Sequence, residues 1–287
     1  MANISILTDS SCDVEAKVLE KWNVKEIQLD VIVDDGGPCA NCDVNIQDFY
    51  QKLREGSMAK TSAANAENFR VVFEPELQAG NDIIYLGFSS GLSTTFNSSR
   101  IAAEELAEKY PDRKIKVIDT LCASLGQGLI VNLAVTKRDS GASFEEICKY
   151  VEDTLPNLCH WFTVDDLQFL KRGGRVSGAV ALIGSMLSIK PVMHVDDCGK
   201  LIKVSQVRGR KTSIRALADK LISTAIDPTG SPVFISHGDC IDDAKELADI
   251  LKKECGIKNV YINYVGPVIG AHSGPGTLAL FFLGKER

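Results

Sequence analysis

The sequence predicts an α/β fold, with a mainly parallel sheet covered by helices on both faces in its N-terminal part and an α+β arrangement in its C-terminal part. Over the first 157 residues, short apolar runs alternate with helical segments, which is typical of a parallel sheet. Beyond residue 158, two strand-like segments flank a turn and indicate a β-hairpin. A chain of 287 residues is long enough for two domains, which we predict at 1–157 and 158–287.

The predicted strands of the N-terminal part are short apolar runs that lie at 4–9, 27–33, 82–86 and 115–120. The predicted helices lie at 14–22, 47–55, 66–77, 100–110, 124–138 and 143–154. We expect a break near Pro75 and an N-cap at Ser143. Loops with hydroxyl or acidic side chains lie at 8–11, 60–65, 89–95 and 119–120, and we expect them to converge on one crevice.

The C-terminal part mixes strand and helix patterns. Strands are predicted at 160–164, 191–195, 200–207, 232–236, 259–265 and 277–283. The second and third of these form the hairpin around Asp197-Cys198-Gly199. Helices are predicted at 165–170, 179–188, 212–225 and 241–254. Residues 266–276 are rich in glycine and proline and are predicted to form a rigid loop.

The composition is that of a protein with a large core and no polyanionic partner. Hydrophobic residues make up 45% of the chain, charged residues make up 24%, and the net charge is −6. This balance argues against nucleic-acid binding and against a basic membrane-binding patch. The first residues lack the pattern of a secretory signal, and no stretch has the roughly 18 apolar residues that span a bilayer. We therefore expect a cytoplasmic protein without integral membrane association.

Nine cysteines are scattered along the chain, and several have the apolar surroundings of reduced core thiols. The exception is the pair Cys39 and Cys42, whose CxxC spacing suits a metal or redox chemistry. No second CxxC or HxxxH completes four zinc ligands. We therefore predict no metal, and a metal- or redox-responsive binder is the weakest alternative.

Residues 87–99, GFSSGLSTTFNSS, lie between an apolar strand pattern and a helix pattern. Such a loop presents free backbone N–H groups, hydroxyl donors and the positive end of a helix at one place. Helix capping would explain one or two hydroxyls, whereas seven lie within the eleven residues 89–99. The loop therefore predicts a binding site for an anion such as phosphate, sulfate or carboxylate.

Among the four histidines, His272 is the best candidate for a site, because its glycine-rich segment lets a ligand approach the backbone. His160, His194 and His237 lie in or beside predicted strands and are predicted to be structural.

A nucleophile pair of Ser93 and His272 is conceivable, although Ser93 does not lie in the G-x-S-x-G elbow of hydrolases. Asp9 and Asp119 fit a structural role as acceptors for loop N–H groups. The chain also lacks a phosphate-binding Walker loop and a dinucleotide fingerprint. The site is therefore predicted to hold an anion and not to transform it.

Arginines cluster at Arg172 and Arg175 and at Arg208 and Arg210. The turn Arg172-Gly-Gly-Arg175 fixes two guanidinium groups close together, which suits docking onto an acidic partner. A solvated basic face is the equally weighted alternative.

Six segments occur in order across nearly the whole chain: Thr8–Ser11, Lys60–Ser62, Ser89–Thr95, Asp119-Thr120, Lys171–Arg175 and Gly270–Gly276. In this set the chain resembles the DegV family of bacterial fatty-acid-binding proteins. The resemblance implies an N-terminal α/β domain, a C-terminal α+β domain and one long-chain fatty acid held between them. It further implies that the chain is the acyl-carrying subunit of a fatty acid kinase, whose ATP-dependent partner phosphorylates the bound carboxylate.

The resemblance also implies roles for individual residues. The carboxylate would be bound by Thr61, Ser62, Ser93 and His272. The kinase partner would dock on Arg172, Arg175 and Arg208. We expect the tail to lie among 179–187 and Phe281-Phe282. The chain would then have no catalytic residue and no cofactor, and the open alternative is an enzyme, a Ser–His hydrolase or a phosphotransferase acting on a small anion.

Overall fold

The computed structural model describes residues 3–176, 188–285 and 287. Apart from its last residue, the helix predicted at 179–188 lies outside these residues, as does the tail-binding segment predicted at 179–187. In the described part of the chain, β-strands form three sheets, and helices cover both faces of the first. The predicted α/β fold with a C-terminal α+β arrangement is confirmed.

The strands of the described residues, in chain order, are β1 (Ile4–Asp9), β2 (Val24–Ile27), β3 (Asp30–Val33), β4 (Cys39–Ala40), β5 (Ala59–Ser62), β6 (Asp82–Gly87), β7 (Ile115–Asp119), β8 (Leu158–Thr163), β9 (Ile189–Val195), β10 (Leu201–Arg208), β11 (Val233–His237), β12 (Val260–Tyr264) and β13 (Leu278–Leu283). The helices are α1 (Ala16–Lys21), α2 (Ile46–Arg54), α3 (Ala66–Gln78), α4 (Thr95–Lys109), α5 (Leu125–Asp139), α6 (Phe144–Thr154), α7 (Leu167–Arg172), α8 (Arg210–Thr224), α9 (Ile241–Cys255) and α10 (Pro267–Ser273).

The first sheet is parallel and has the strand order β2-β1-β6-β7. All six residues of β6 are buried, which explains the continuous apolar run from which this strand was predicted. Because the four strands are parallel, the loops after β1, β6 and β7 leave the same edge of the sheet. The hydroxyl-rich loop 89–95 begins at this edge.

The second sheet has the strand order β10-β9-β8-β13-β11-β12 and is antiparallel except for the β11–β12 pair. The hairpin of β9 and β10 was predicted and is confirmed. This sheet is built from residues after 157, and the first sheet is built from residues before 120. The division into domains at 1–157 and 158–287 stays a prediction.

Helix α5 lies between the two large sheets and contacts strands of both. Most of its residues are buried, including Gly126, Gln127 and Gly128. A Cβ atom at Gly126 would lie 2.3 Å from His160 Nε2, and one at Gly128 would lie 2.6 Å from a Val14 methyl carbon. The two glycines, which are poor helix formers, are therefore required for close packing of this helix.

A third sheet, β4-β3-β5, was missed by the sequence analysis. The segment 27–33 was predicted as one strand, which is wrong: β2 pairs with β1, and β3 pairs with β5. The chain changes partner at Leu29, whose N–H donates to Ser10 Oγ at 2.9 Å. Residues 60–62, which the sequence analysis placed in a loop, belong to β5 because β3 offers them an open edge.

Three helix predictions also need correction. Helix α4 begins at Thr95 and not at residue 100, so the last hydroxyl residues of the loop form its first turn. Helix α3 is not broken at Pro75, because the carbonyl left without a donor is that of Val71, an exposed residue that water can reach. Residues 267–273 form α10 instead of a loop: Pro267 fits the first turn, and Gly274, at φ +78°, ends the helix.

The turn of the β9–β10 hairpin rests on the hydroxyl-rich loop of the N-terminal part. Ser89 Oγ donates to the Gly199 carbonyl at 2.8 Å. A Cβ atom at Gly91 would lie 2.6 Å from the Cys198 carbonyl oxygen, so only glycine permits this approach. The hairpin is thereby held against the loop that precedes α4.

None of the helices in the described part of the chain is long and apolar enough to cross a membrane.

Candidate functional site

A cavity of about 640 Å³ lies between the second sheet and the loops at the edge of the first. One set of its lining residues is polar: Thr61, Ser62, Ser90, Ser93, Thr94, Asn97, Ser124, His160, Arg175, Ser236, His272, Ser273 and Thr277. The other set is apolar: Leu29, Ala63, Phe88, Leu92, Ala123, Phe162, Leu170, Val195, Leu201, Val265, Val268, Ile269, Ala279 and Phe281. All four residues predicted to bind a carboxylate line this cavity, and it can hold a small molecule with a polar end and a long apolar part.

Thr61 and His272 form a hydrogen-bonded pair on the cavity wall. Thr61 Oγ1 and His272 Nε2 are 2.8 Å apart. Strand β5 carries Thr61, and the last turn of α10 carries His272. The other side of the imidazole is fixed by Gly173, where a Cβ atom would lie 2.3 Å from His272 Nδ1. The sequence analysis anticipated both residues but neither of the elements that position them.

Ser93 lies immediately before α4. Its hydroxyl oxygen accepts the N–H of Thr95 at 3.2 Å and lies 2.9 Å from the Thr95 hydroxyl. The first N–H groups of α4 point toward this end of the helix, where the helix dipole favours negative charge. This part of the cavity therefore offers several donors to an anion.

Arg175 also lines the cavity, although the sequence analysis placed it among the docking residues. Its side chain is half-buried; Nε donates to the Leu92 carbonyl at 3.2 Å, and Nη1 donates to the Gly173 carbonyl. Burial lowers the pKa of Arg175, but an arginine stays protonated at neutral pH. Among the described residues that line the cavity, none is Asp, Glu or Lys, so Arg175 gives the site a positive charge.

His272 is neutral at physiological pH. Burial, and second the nearby charge of Arg175, lower the pKa of His272 to about 4. A neutral imidazole can donate or accept a hydrogen bond without adding charge. The site therefore combines a single arginine charge with neutral hydroxyl and imidazole groups.

The conceivable nucleophile pair of Ser93 and His272 is not joined by a hydrogen bond in the described structure. His272 Nε2 is bonded to Thr61, and Ser93 Oγ is bonded to Thr95. The described hydrogen bonds thus do not join the hydroxyl of Ser93 to the imidazole, as nucleophilic activation requires.

Phe281, which the sequence analysis named for an apolar tail, lines the cavity. Phe282, named with it, points to the other face of the sheet and packs in the core beneath α8. The two faces follow from the alternation of side chains along β13.

Further polar lining residues were missed. Ser124 and Ser236 were not singled out, and His160 was predicted to be structural. Ser124 Oγ donates to Asp13 Oδ2 and also lies 3.0 Å from Ser236 Oγ. Lone serines in apolar segments give no sequence signal of this kind, because the contacts join residues more than 100 positions apart.

Asp13 should make the folding stability depend on pH. Burial raises the pKa of its carboxyl group from 3.8 to about 8. Between these values the folded protein holds a proton that the unfolded chain releases, so this contribution is complete below pH 3.8 and is lost as the pH rises toward 8. We expect Asp13→Asn to be more stable than wild type at about pH 8 by at least about 1 kcal/mol, with the difference shrinking toward about pH 5.

Urea unfolding of both proteins at several pH values measures this difference. Asp35→Asn, at an exposed position, is the matched control and should show the wild-type dependence. Burial also raises the pKa of Glu26 to about 7. Glu26 is present in wild type and in Asp13→Asn, so its contribution cancels in the difference between their free energies of unfolding. A difference in unfolding free energy between Asp13→Asn and wild type that does not change with pH would contradict the raised pKa of Asp13.

Asp9 and Asp119 accept loop N–H groups, as predicted. Asp9 accepts from Phe88 at 3.0 Å, and Asp119 accepts from Leu121 at 3.0 Å. The loop 8–11 and Asp119 do not line the cavity, so the predicted convergence of loops is correct only for 60–65 and 89–95.

The remaining predicted residues lie outside the cavity. Arg172 is exposed, with its guanidinium 4.5 Å from the centre of the Phe169 ring, and Arg208 is exposed at the end of β10. Cys39 and Cys42 are free thiols. In the described residues, no group of three or more His, Cys, Asp or Glu side chains could hold a metal ion.

Known proteins resemble this chain over its full length. The family model described as "Uncharacterised protein, DegV family" matches residues 3–285. A DegV domain-containing protein of Clostridium perfringens is 44% identical, over 100% of this chain and 99% of its own length. A solved DegV lipid-binding protein of Thermotoga maritima is 31% identical with a TM-score of 0.87, over 99% of both chains. A second Thermotoga maritima structure, reported to reveal a fatty-acid-binding function, is 30% identical with a TM-score of 0.86, over 99% of this chain and 100% of its own.

Proposed function

The chain belongs to the DegV family, and on the geometry of its cavity we propose that it binds a long-chain fatty acid. The observation that carries the proposal is the division of one cavity into two kinds of wall. Thr61, Ser93, His272 and Arg175 gather donors and one positive charge. The rest of the wall is largely aromatic and aliphatic. The two Thermotoga maritima proteins, described as lipid-binding and fatty-acid-binding, support this reading.

The apolar wall would provide most of the affinity. Burial of a methylene contributes about 0.8 kcal/mol, so roughly 14 methylenes give on the order of 11 kcal/mol before the costs of association. A hydrogen bond to a hydroxyl contributes only about 1 kcal/mol net. The hydroxyls therefore fix the position of the carboxylate, whereas the tail determines how tightly the acid binds.

We further propose that the chain presents the bound acid to a separate ATP-dependent kinase and does not itself turn it over. A carboxylate held by neutral hydroxyls, a neutral imidazole and the single guanidinium of Arg175 keeps lone pairs on its oxygens available as nucleophiles. The exposed guanidinium groups of Arg172 and Arg208 suit an acidic docking surface on such a partner. Arg175, which lines the cavity, would act on the ligand more directly than on the partner.

Extraction of the purified protein with denaturing solvent, followed by mass spectrometry, should release a long-chain fatty acid. We expect Thr61→Val and Ser93→Ala each to weaken binding of a fluorescent long-chain acid by about tenfold, because each removes one hydrogen bond to a charged group. Thr229→Val, at an exposed position, is the matched control. A protein that is isolated empty and does not bind added long-chain acids would refute the proposal.

A further inference from the structure

Two serines of the cavity wall and a carboxyl group behind them form a second polar group, which we call the serine relay: Asp13, Ser124 and Ser236. The Ser124 hydroxyl donates to Asp13 Oδ2 and lies 3.0 Å from Ser236 Oγ. Both serines line the cavity, and Asp13 lies behind them with no contact to it. The backbone of Gly266 also bonds to the carboxyl group of Asp13, and Oδ1 lies against this residue. Buried polar groups in an apolar wall are costly unless something bonds to them.

His160 lies on the same face of the second sheet. In the register of the second sheet, Ala279 lies opposite Ser236 on one side and opposite Phe162 on the other. His160 is two residues from Phe162 on β8 and therefore points to the same face. His160 lines the cavity and is 1% exposed; its imidazole faces the Leu158 backbone, which leaves at least one ring nitrogen without a hydrogen-bond partner in the described part of the chain. The wall next to the serine relay thus contains a further polar side chain with unused bonding capacity.

Helix α10 begins beside Asp13 and carries His272 in its last turn. Gly266, which precedes the helix, touches Asp13: a Cβ atom there would lie 2.4 Å from Asp13 Oδ1. His272 lies six residues further, which corresponds to about 9 Å along a helix axis. Val268 and Ile269 line the cavity between the two positions. A chain that begins at His272 would pass apolar wall before it reaches the serines.

The hydrogens of the serine relay decide which ligand group fits it. With Asp13 ionised, Ser124 donates to the carboxylate, Ser236 donates to Ser124, and Ser236 offers only lone pairs. With Asp13 protonated on Oδ2, the donors reverse, and the proton of Ser236 has no acceptor within the relay. A hydroxyl group can both donate and accept, so it satisfies Ser236 in either state, whereas a ketone satisfies only one.

We propose that Ser236, supported by Ser124 and Asp13, binds a hydroxyl group carried near the middle of the acyl chain, so that the preferred ligands include mid-chain hydroxy fatty acids. This inference rests on the proposed fatty-acid binding. An alkyl chain without the hydroxyl offers the serine relay and His160 no hydrogen-bond partner. A hydrocarbon group placed beside them therefore gains no hydrogen bond.

The test compares two acids on the full-length protein by isothermal titration calorimetry: octadecanoic acid and the same acid with one hydroxyl near its middle. In wild type, the hydroxy acid should bind at least as tightly as the parent. In Ser236→Ala, the ratio of the two affinities should shift about tenfold against the hydroxy acid, as expected for one lost hydrogen bond. Ser124→Ala should shift the ratio in the same direction, because it disconnects Ser236 from Asp13.

Ser93→Ala is the control, because it should weaken both acids by the same factor and leave their ratio at the wild-type value. An isomer with its hydroxyl at the far end of the chain should lose affinity in wild type and show no shift in Ser236→Ala. If wild type already disfavours the mid-chain hydroxy acid and Ser236→Ala leaves the ratio unchanged, the relay binds water at most and the inference is wrong. Failure of both acids to bind would instead refute the proposed function.

Discussion

Replacing Ala279 by Phe should weaken the binding of a long-chain fatty acid by about 100-fold, the larger of the two strongest effects that we expect. Ala279 is directly opposite Phe162 on one neighbouring strand and Ser236 on the other, and all three residues line the cavity. A benzyl group at this position would take the space of about four methylenes, worth about 3 kcal/mol of binding free energy. The added ring would occupy an existing cavity, so the loss of folding stability should be small.

Displacement titrations with acids of different length test this expectation. A short acid, whose tail ends before Ala279, should bind the variant as it binds wild type, while a long acid should not. Val204→Phe, on the exposed side of β10, is the matched control and should bind both acids normally. Equal weakening of short and long acids by Ala279→Phe would place the tail elsewhere.

Replacing Arg175 by Met should weaken binding of the carboxylate by about 10- to 100-fold. The guanidinium is the cationic group among the described lining residues, and hydrogen bonds to charged groups contribute about 1.5–3 kcal/mol. Arg175→Lys should recover only part of the loss. The planar guanidinium can bond the Leu92 and Gly173 carbonyls and the ligand at the same time, whereas an ammonium group cannot. The pKa of His272 should rise in Arg175→Met, since it no longer faces this charge.

Arg172→Met distinguishes ligand binding from partner docking. Arg172 is three residues before Arg175, and its exposed guanidinium lies over the Phe169 ring, so its replacement should leave the fatty-acid affinity unchanged. Titration calorimetry gives the affinities, and NMR of the imidazole resonances gives the pKa of His272. If Arg172→Met weakens the acid as much as Arg175→Met does, the charge of Arg175 is not specific to the site.

The sequence was most informative where local chemistry sets the structure. Ser143 caps α6 with a reciprocal bond to Glu146, and the apolar run of β6 is fully buried, and both could be predicted from neighbouring residues. Ser93 and His272 were singled out because their loops carry distinctive residues, and Thr61 was named from the resemblance to the DegV family. Their common cavity depends on α10 and β5, which the sequence did not predict.

What was missed depends on contacts between distant parts of the chain. Strand β5 exists because β3 provides a pairing edge, and short α10 is stabilised by packing, since its sequence reads as a loop. Arg175 resembles Arg172 in sequence, yet only Arg175 turns toward Leu92. Ser124 and Ser236 come together across 112 positions, a distance over which no local pattern extends.

The contact between Gly91 and the hairpin turn has a mechanical consequence. The Cys198 carbonyl lies where any side chain at position 91 would be, and Ser89 is bonded to Gly199, so the two backbones interlock. Any displacement of the segment that carries Ser93 would therefore have to break the bond between Ser89 and Gly199 or carry the tip of the hairpin along. Arg208 lies at the opposite end of β10, beyond a register shift between Lys203 and Ser205, so this one strand connects the exposed arginine to the loop that carries Ser93.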